Sequence, residues 1–204
     1  MSIPEKHALA PEKMAVVGAG LVGSLWALML AQRGHHVDVF ERRPDPRTGA
    51  YKGGRSINLA LSDRGWRALE KAGIADAVRE IALPITHRTM HATDSTLTRQ
   101  PYGLPEAQGK FDDPQCIYSV SRALLNRLLV EESEKHAQVT YRFDHRCVDI
   151  DLEANELTLD NGGDQTHAQA FDRIFGTDGA FSAVRDRLMR CLLYTSPSPR
   201  DPTK

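Results

Sequence analysis

Residues Met14 to Gly23 read MAVVGAGLVG, an apolar run that ends in the glycine pattern Gly18-x-Gly20-x-x-Gly23. The run favours a β-strand, and the apolar residues that begin with Leu21 have helical spacing. A strand–glycine–helix turn of this kind is typical of dinucleotide binding. The first glycine permits the tight turn, the second lets a pyrophosphate approach the backbone, and the third lets helix and strand pack closely. The helix N-terminus then offers unpaired N–H groups to the phosphates.

A carboxylate stands at the distance from this turn that dinucleotide binding requires. Residues 36–41 (HVDVFE) predict a second strand that ends on Glu41, 18 residues after Gly23. A carboxylate there can accept hydrogen bonds from an adenosine ribose, which a glycine turn used only for packing does not explain. Arg42 and Arg43 are either a solvated pair or flank the adenine or a phosphate. The turn alone does not distinguish NAD from FAD, because the adenosine halves of the two are alike.

A second glycine motif follows a strand-like segment at 172–175 near the end of the chain. The stretch GTDGAFSAVR (176–185) resembles GxDGxxSxVR, the second fingerprint of the flavin-dependent aromatic hydroxylases. In that family the aspartate contacts the ribityl chain of the flavin and lies near the path of the nicotinamide cofactor. The resemblance therefore implies that Asp178 and Gly179 bind the cofactor, and it speaks against a plain NAD-dependent dehydrogenase. An ordinary turn in which Ser182 caps a helix is the alternative.

Further segments narrow the resemblance within that family. Residues 41–47 (ERRPDPR), 54–61 (GRSINLAL), 100–103 (QPYG) and 119–122 (SVSR) resemble segments of its kynurenine-hydroxylating members. The resemblance implies bound FAD, reduction by NADPH, and hydroxylation of L-kynurenine by O2 to 3-hydroxy-L-kynurenine. Another aromatic hydroxylase, or a non-catalytic incomplete dinucleotide-binding domain, is the alternative. The cofactor-binding residues implied are Gly18, Gly20, Leu21, Gly23, Glu41, Arg43, Ala60, Arg122, Asp178 and Gly179.

Two residues are candidates for substrate binding. Kynurenine-hydroxylating members bind the amino-acid carboxylate of the substrate with an arginine and a tyrosine fourteen residues apart, the tyrosine lying in QPYG. The resemblance implies the same role for Arg88 and Tyr102, which have this spacing. A guanidinium binds a carboxylate through two parallel hydrogen bonds, and a phenol adds a third. From spacing alone, a surface position on a strand is the favoured interpretation of Arg88. No catalytic side chain is assigned, because the flavin carries the chemistry.

Composition excludes several other classes of protein. The 204 residues carry a formal charge of −1 with an isoelectric point near 6.7, which gives no general attraction to nucleic acid or to anionic membranes. No apolar run is long enough to span a membrane. Three cysteines make no disulfide framework, so we expect a reducing, cytoplasmic location. His87 and His91 would lie about 13 Å apart on a strand, too far for one metal ion, and no metal site is expected.

The elements predict an α/β fold: a doubly wound, Rossmann-like FAD-binding domain with part of a second, mixed or antiparallel sheet over residues 84–120. A leucine stripe, Leu124, Leu125, Leu128 and Leu129, predicts one buried face on a helix over 121–136. The other predicted helices cover 21–33, 63–71, about 74–81 and 181–190. The predicted strands cover 14–18, 36–41, 86–93, 96–100, 116–120, 138–143, 146–152, 155–160 and 169–175.

We expect three segments of different character along the chain. Residues 1–13 are a loose leader, and residues 14–190 are an incomplete FAD-binding monooxygenase domain. Residues 191–204 form no regular structure, because they hold three of the eleven prolines. Their string LLYTSPSPRD resembles a translated sequencing adapter, so we expect a non-native tail, a natural Pro/Ser-rich tail being the alternative.

Overall fold

The structure is a computed structural model that describes residues 10–48, 58–102, 116–163 and 166–195. These ranges divide between two compact units, each described by itself. Unit 1 comprises Met1–Tyr51 and Leu129–Lys204, and unit 2 comprises Lys52–Leu128. Residues 1–9 of the expected leader (1–13), residues 103–115 and residues 196–204 of the expected tail lie outside the described residues.

The elements are numbered in chain order. The strands are β1 (Lys13–Val17), β2 (His36–Phe40), β3 (Asn58–Leu61), β4 (Leu83–Ile85), β5 (His87–His91), β6 (Leu97–Pro101), β7 (Ile117–Ser121), β8 (Val139–Arg142), β9 (Arg146–Asp151), β10 (Glu156–Asp160), β11 (His167–Ala170) and β12 (Arg173–Gly176). The helices are α1 (Leu21–Ala31), α2 (Asp63–Lys71), α3 (Ala75–Arg79), α4 (Arg122–Glu134) and α5 (Ala183–Thr195).

Unit 1 is built on a parallel sheet in the order β12-β1-β2-β8. Successive side chains of a strand point to opposite faces, so β1 contributes to two cores. Met14 and Val16 pack with Ala27 and Leu30 of α1. Ala15 and Val17 pack against the antiparallel sheet β11-β10-β9 and against α5. The predicted α/β class is confirmed. On the face of the parallel sheet opposite α1, the antiparallel sheet β11-β10-β9 packs together with α5.

Unit 2 contains antiparallel sheets distinct from the parallel one, as the sequence predicts for residues 84–120. One has the order β3-β7-β4, and the other is the hairpin β5-β6. Buried Trp66 of α2 meets Tyr118 edge-to-face, with ring centroids 5.1 Å apart. Strands β3 and β4 were not predicted, because four and three residues are too few to show an alternating pattern. Pro84 is tolerated in β4 because that strand is at a sheet edge.

The single strand predicted over 169–175 is wrong, because two strands of different sheets occupy this segment. β11 pairs with β10 in the antiparallel sheet, whereas β12 pairs with β1 in the parallel sheet. Between them Phe171 is buried in the core between the sheets, and the carboxylate of Asp172 accepts a hydrogen bond from the backbone N–H of Lys13 at 2.6 Å. The chain therefore changes sheets at these two residues.

The prediction that residues 191–204 form no regular structure is wrong for residues 191–195. Helix α5 continues to Thr195, five residues beyond the predicted end at Arg190. Residues 191–195 contain neither glycine nor proline, so no helix-breaking residue interrupts this segment. The helical pattern therefore extends into the segment.

The leucine stripe of α4 is narrower than predicted. Leu125 and Leu129 are buried, whereas Leu124 is exposed over half of its surface. Val130 and Ser133 complete the buried positions of this helix. Leu124 and Leu125 are neighbours in sequence and point about 100° apart around the helix, so one helix–core contact does not cover both.

Candidate cofactor-binding site

Gly18 directly follows β1 and has a conformation that only glycine adopts readily. Its φ is +101°, and its N–H donates to the carbonyl oxygen of Phe40 at 2.7 Å. A Cβ atom at this position would lie 2.8 Å from the Cα of Asp178. The turn after β1 and the turn after β12 are therefore in direct backbone contact, and a side chain would force them apart.

The other two glycines of the turn differ in the space around them, because Gly23 is tightly packed and Gly20 is open. A Cβ on Gly23 would lie 1.9 Å from the carbonyl oxygen of Gly18 and 2.6 Å from the hydroxyl of Thr177, so the packing of α1 requires glycine there. A Cβ on Gly20 would meet no atom of the described residues within 4 Å, and Gly20 is exposed just before Leu21, the first residue of α1. Gly20 therefore leaves the helix N-terminus accessible to a phosphate group.

The candidate residues of unit 1 lie at the carboxyl ends of three neighbouring parallel strands. Gly18 follows β1, Glu41 follows β2, and Asp178 lies two residues after β12. Strands β2 and β12 flank β1 on opposite sides. The loops that leave the carboxyl ends of β1 and β12 diverge at this edge, because they lead to α1 and α5 on opposite faces of the sheet. Ligands of open α/β sheets bind at such a divergence.

Backbone N–H groups hold the Glu41 carboxylate at the turn. One oxygen accepts a hydrogen bond from the N–H of Ala19 at 3.0 Å, and the other accepts from the N–H of Arg43 at 3.0 Å. Ala19 lies between the first two glycines of the turn. The carboxylate predicted to bind ribose is therefore attached to the glycine turn, with further acceptor capacity on each oxygen.

The Asp178 carboxylate is held at the start of α5. One oxygen accepts from the hydroxyl of Ser182 and the other from the N–H of Ala183, both at 2.6 Å. The Ser182 oxygen in turn accepts from the N–H of Arg185 at 2.9 Å, so the capping role of Ser182 is present beside the aspartate. Gly179 has a φ of +83° and is exposed.

Thr177 joins the two glycine motifs, a role that the sequence analysis missed. Its hydroxyl is 2.8 Å from the carbonyl oxygens of both Val17 and Gly18, which share its single proton, and its N–H donates to the carbonyl oxygen of Val17 at 2.8 Å. The only sequence signal is a hydroxyl residue inside GTDG, which does not identify its partner 159 or 160 positions away.

Cys147 lies in the core behind the Asp178 turn. Burial raises the pKa of its thiol to about 11, and the nearby carboxylates of Asp178 and Asp149 act in the same direction. Its thiol contacts the carbonyl oxygen of Asp149 at 3.6 Å. The thiol is therefore neutral at physiological pH, in agreement with its interpretation as a small core residue.

The remaining predicted cofactor residues are distributed over both units. Arg43 is exposed directly after Glu41 in unit 1. Ala60 lies on β3 opposite Ser119, and Arg122 is the first residue of α4; both are exposed in unit 2. The cofactor contacts of these three residues stay predictions.

The structure places Arg88 and Tyr102 on one hairpin of unit 2. Arg88 on β5 lies opposite Gln100 on β6, and the N–H of Tyr102 donates to the carbonyl oxygen of Thr86 at 2.9 Å. Gln100 and Tyr102 are two residues apart, so they share a face of the hairpin with Arg88. The guanidinium of Arg88 donates to the side-chain oxygen of Gln100, with its Nε at 2.8 Å. The sequence analysis noted Gln100 only as part of QPYG.

His87 and His91 are the ends of strand β5, as predicted, and not neighbours on a helix. In the part of the chain that the structure describes, no three His, Cys, Asp or Glu side chains are grouped closely enough to hold a metal ion. Among the same residues, no helix is long and apolar enough to cross a membrane.

Known proteins resemble this chain in sequence. A curated kynurenine 3-monooxygenase of Christiangramia forsetii is 45% identical over 178 residues, covering 87% of this chain and 38% of that protein. The kynurenine 3-monooxygenase of Anopheles gambiae is 39% identical over 181 residues, covering 88% of this chain and 36% of its own length. The chain thus spans about two fifths of the length of such relatives.

Solved structures share the fold. The flavin-dependent monooxygenase PieE superposes with a TM-score of 0.73 at 22% identity, over 88% of this chain and 33% of that one. The p-nitrophenol 4-monooxygenase of Pseudomonas putida DLL-E4 superposes with a TM-score of 0.68 at 24% identity, over 87% of this chain and 43% of that one.

A protein-family model described as FAD binding domain matches residues 12–191. The match includes both glycine motifs and Glu41, which the structure assembles at one edge of the parallel sheet. The chain belongs to this FAD binding domain family.

Proposed function

We propose that this chain is the cofactor-binding part of a flavin-dependent monooxygenase that uses NADPH and O2 to hydroxylate L-kynurenine to 3-hydroxy-L-kynurenine. The observation that carries the proposal is the contact between the two glycine motifs, in which Gly18 meets the backbone of Asp178. The similarity to kynurenine 3-monooxygenases supports the substrate. A cytoplasmic location is part of the same proposal.

The residues of unit 1 fit the adenosine and diphosphate portion of FAD. Gly20 leaves space at the start of α1, where free N–H groups and the positive end of the helix dipole favour phosphate. The Glu41 carboxylate would accept hydrogen bonds from the ribose hydroxyls, since backbone donors use only part of its acceptor capacity.

Asp178 would accept a hydrogen bond from the ribityl chain, with Ser182 and Ala183 holding its carboxylate. When bound, FAD supplies the redox chemistry, taking electrons from NADPH and passing them to O2. Arg88 and Tyr102 would bind the amino-acid carboxylate of kynurenine. Binding energy from this remote group would orient the aromatic ring for reaction.

The test is made on the full-length gene product, purified and examined for a flavin absorption spectrum. We expect NADPH oxidation that depends on L-kynurenine, and transfer of one labelled oxygen atom from O2 into 3-hydroxy-L-kynurenine, detected by mass spectrometry. Reactions without kynurenine, and with unlabelled O2, are the controls. A protein that binds no flavin contradicts the proposal, and one that hydroxylates only other aromatic compounds contradicts the substrate.

A further inference from the structure

We infer that Gln100 is a positioning residue for substrate binding, which holds the Arg88 guanidinium so that its remaining N–H groups face the substrate carboxylate. This inference rests on the proposed function, in which Arg88 binds that carboxylate. It adds a residue to the binding site and a reason for the orientation of Arg88.

The register of the hairpin places Gln100 directly opposite Arg88. The Nε and one Nη of Arg88 both donate to the side-chain oxygen of Gln100, with the Nε at 2.8 Å. Two donors on one edge of a planar group converge on a single acceptor. This contact fixes the rotation of the guanidinium plane, which a single hydrogen bond would leave free.

The contact leaves a second edge of the guanidinium for a ligand. Arginine has five N–H donors, and the edge formed by its two Nη atoms matches a carboxylate through two parallel bonds. The amide nitrogen of Gln100 adds two further donors beside it. An anion next to Arg88 can therefore be bound by both side chains.

The same face of the hairpin is chemically suited to one carboxylate. Arg88 is the only charged residue among the eight residues of β5, β6 and their adjoining positions that alternate onto this face. These eight are Thr86, Arg88, Met90, Ala92, Thr96, Thr98, Gln100 and Tyr102. A single cation, an amide and a phenol together favour a monoanionic, hydrogen-bonding group such as the carboxylate of an amino acid.

Two substitutions separate the contributions of Gln100. Gln100→Leu removes the acceptor and leaves the guanidinium free to rotate, so KM for L-kynurenine should rise about tenfold, the loss of one hydrogen bond to a charged group. Gln100→Glu pairs with Arg88 as an ion and repels the substrate, so KM should rise further. In both variants kcat should stay within about twofold, because the contact is made equally in the ground and transition states.

The control uses a neighbouring residue and a second substrate. Arg99 is adjacent to Gln100 on the opposite face of the hairpin, where it pairs with Thr89, and Arg99→Gln should leave KM unchanged. An analogue of kynurenine that lacks the carboxylate should show the same KM in wild type and in Gln100→Leu. A general distortion of the hairpin would instead raise KM for both substrates.

A double-mutant cycle in the full-length gene product completes the test. If Gln100 acts through Arg88, adding Gln100→Leu to Arg88→Lys should change KM by less than about twofold. The inference is overturned if Gln100→Leu alone leaves KM for L-kynurenine within twofold, or raises KM equally for the analogue. Wild-type protein that does not turn over kynurenine contradicts the proposed function as well, which distinguishes the two failures.

Discussion

At the scale of single residues, Gly23 and Gly20 of the first turn differ, because the packing of the fold requires glycine at position 23, whereas the proposed phosphate site would require it at position 20. Gly23 lies against the carbonyl oxygen of Gly18, so its lack of a side chain is a packing requirement. Gly20 has a φ of −75°, which any residue adopts, and an open side among the described residues. Nothing in the described backbone therefore requires glycine at position 20, whereas the approach of a phosphate in the proposed site would require it.

Replacing each glycine with alanine should separate the two requirements. Gly23→Ala should lower the free energy of unfolding by at least about 1–3 kcal/mol, the usual cost of overpacking, because the new methyl overlaps rigid backbone. Gly20→Ala should change the free energy of unfolding by less than about 1 kcal/mol and weaken FAD at least about tenfold. Urea unfolding without FAD and FAD titration by fluorescence provide the two readouts. Equal FAD affinity in Gly20→Ala and wild type would remove Gly20 from the phosphate site.

At the scale of elements, the antiparallel sheet β9–β11 packs against the parallel sheet whose strand ends carry the candidate cofactor site. It buries Ile150, Leu157 and Leu159 against the face of the parallel sheet formed by Ala15 and Val17. Cys147 of β9 belongs to this core and is close enough to Asp178 for the carboxylate to influence its pKa. The core between the two sheets should therefore be sensitive to charge on this thiol.

The stability of the core should fall at alkaline pH as Cys147 ionises. Burial raises the pKa of the folded-state thiol from its ordinary value of 9.0 to about 11, so the contribution to stability is complete below about pH 9 and is lost as the pH rises through 11. With a discount for residual solvent access, wild type should lose about 1–2 kcal/mol more than Cys147→Ala between pH 9 and 11. Urea unfolding across this range measures the difference, and parallel curves for the two proteins would contradict it.

At the scale of the whole molecule, each compact unit contains one of the two tryptophans. Trp26 of unit 1 packs edge-to-face on Phe175, with ring centroids 5.5 Å apart. Trp66 of unit 2 packs in the same manner on Tyr118. The two side chains are therefore independent probes of the two units.

FAD should raise the unfolding midpoint reported by Trp26, because Gly18, Gly20, Glu41 and Asp178 all belong to its unit. At a free FAD concentration of about 100 Kd the stabilisation is about 2.7 kcal/mol, a shift of about 1 M urea or more. Fluorine NMR of protein labelled with fluorotryptophan resolves the two probes, and Trp26→Phe and Trp66→Phe assign them. An unchanged Trp26 midpoint at saturating FAD would show that these residues do not bind it.

Local signals in the sequence were sufficient to predict the glycine turn, the strands beside it and the bounds of one helix. The glycine turn and the strands on either side of α1 follow from backbone conformation and from periodicity over neighbouring residues. The predicted bounds of α2 agree with the structure at both ends, and Gly73 follows its end with a φ of +73°, although the side chain of Ser62 makes no capping hydrogen bond. The positions of Glu41 and Asp178 at the ends of strands follow from the same patterns.

Tertiary structure decided the features that depend on residues distant in the chain. The change of sheet at Phe171 and Asp172 depends on β1 and β10 as partners, and the short strand β3 forms through pairing with β7. Thr177 and Gln100 acquire their roles only from the carbonyl groups and the guanidinium that folding brings to them. The sequence by itself therefore determined the turn and the fold class, because neighbouring residues encode backbone conformation, whereas the choice of FAD rested on the resemblance of residues 176–185 to a family motif. Strand pairing and side-chain partners were decided by the tertiary structure, because long-range contacts leave no periodic signal in the sequence.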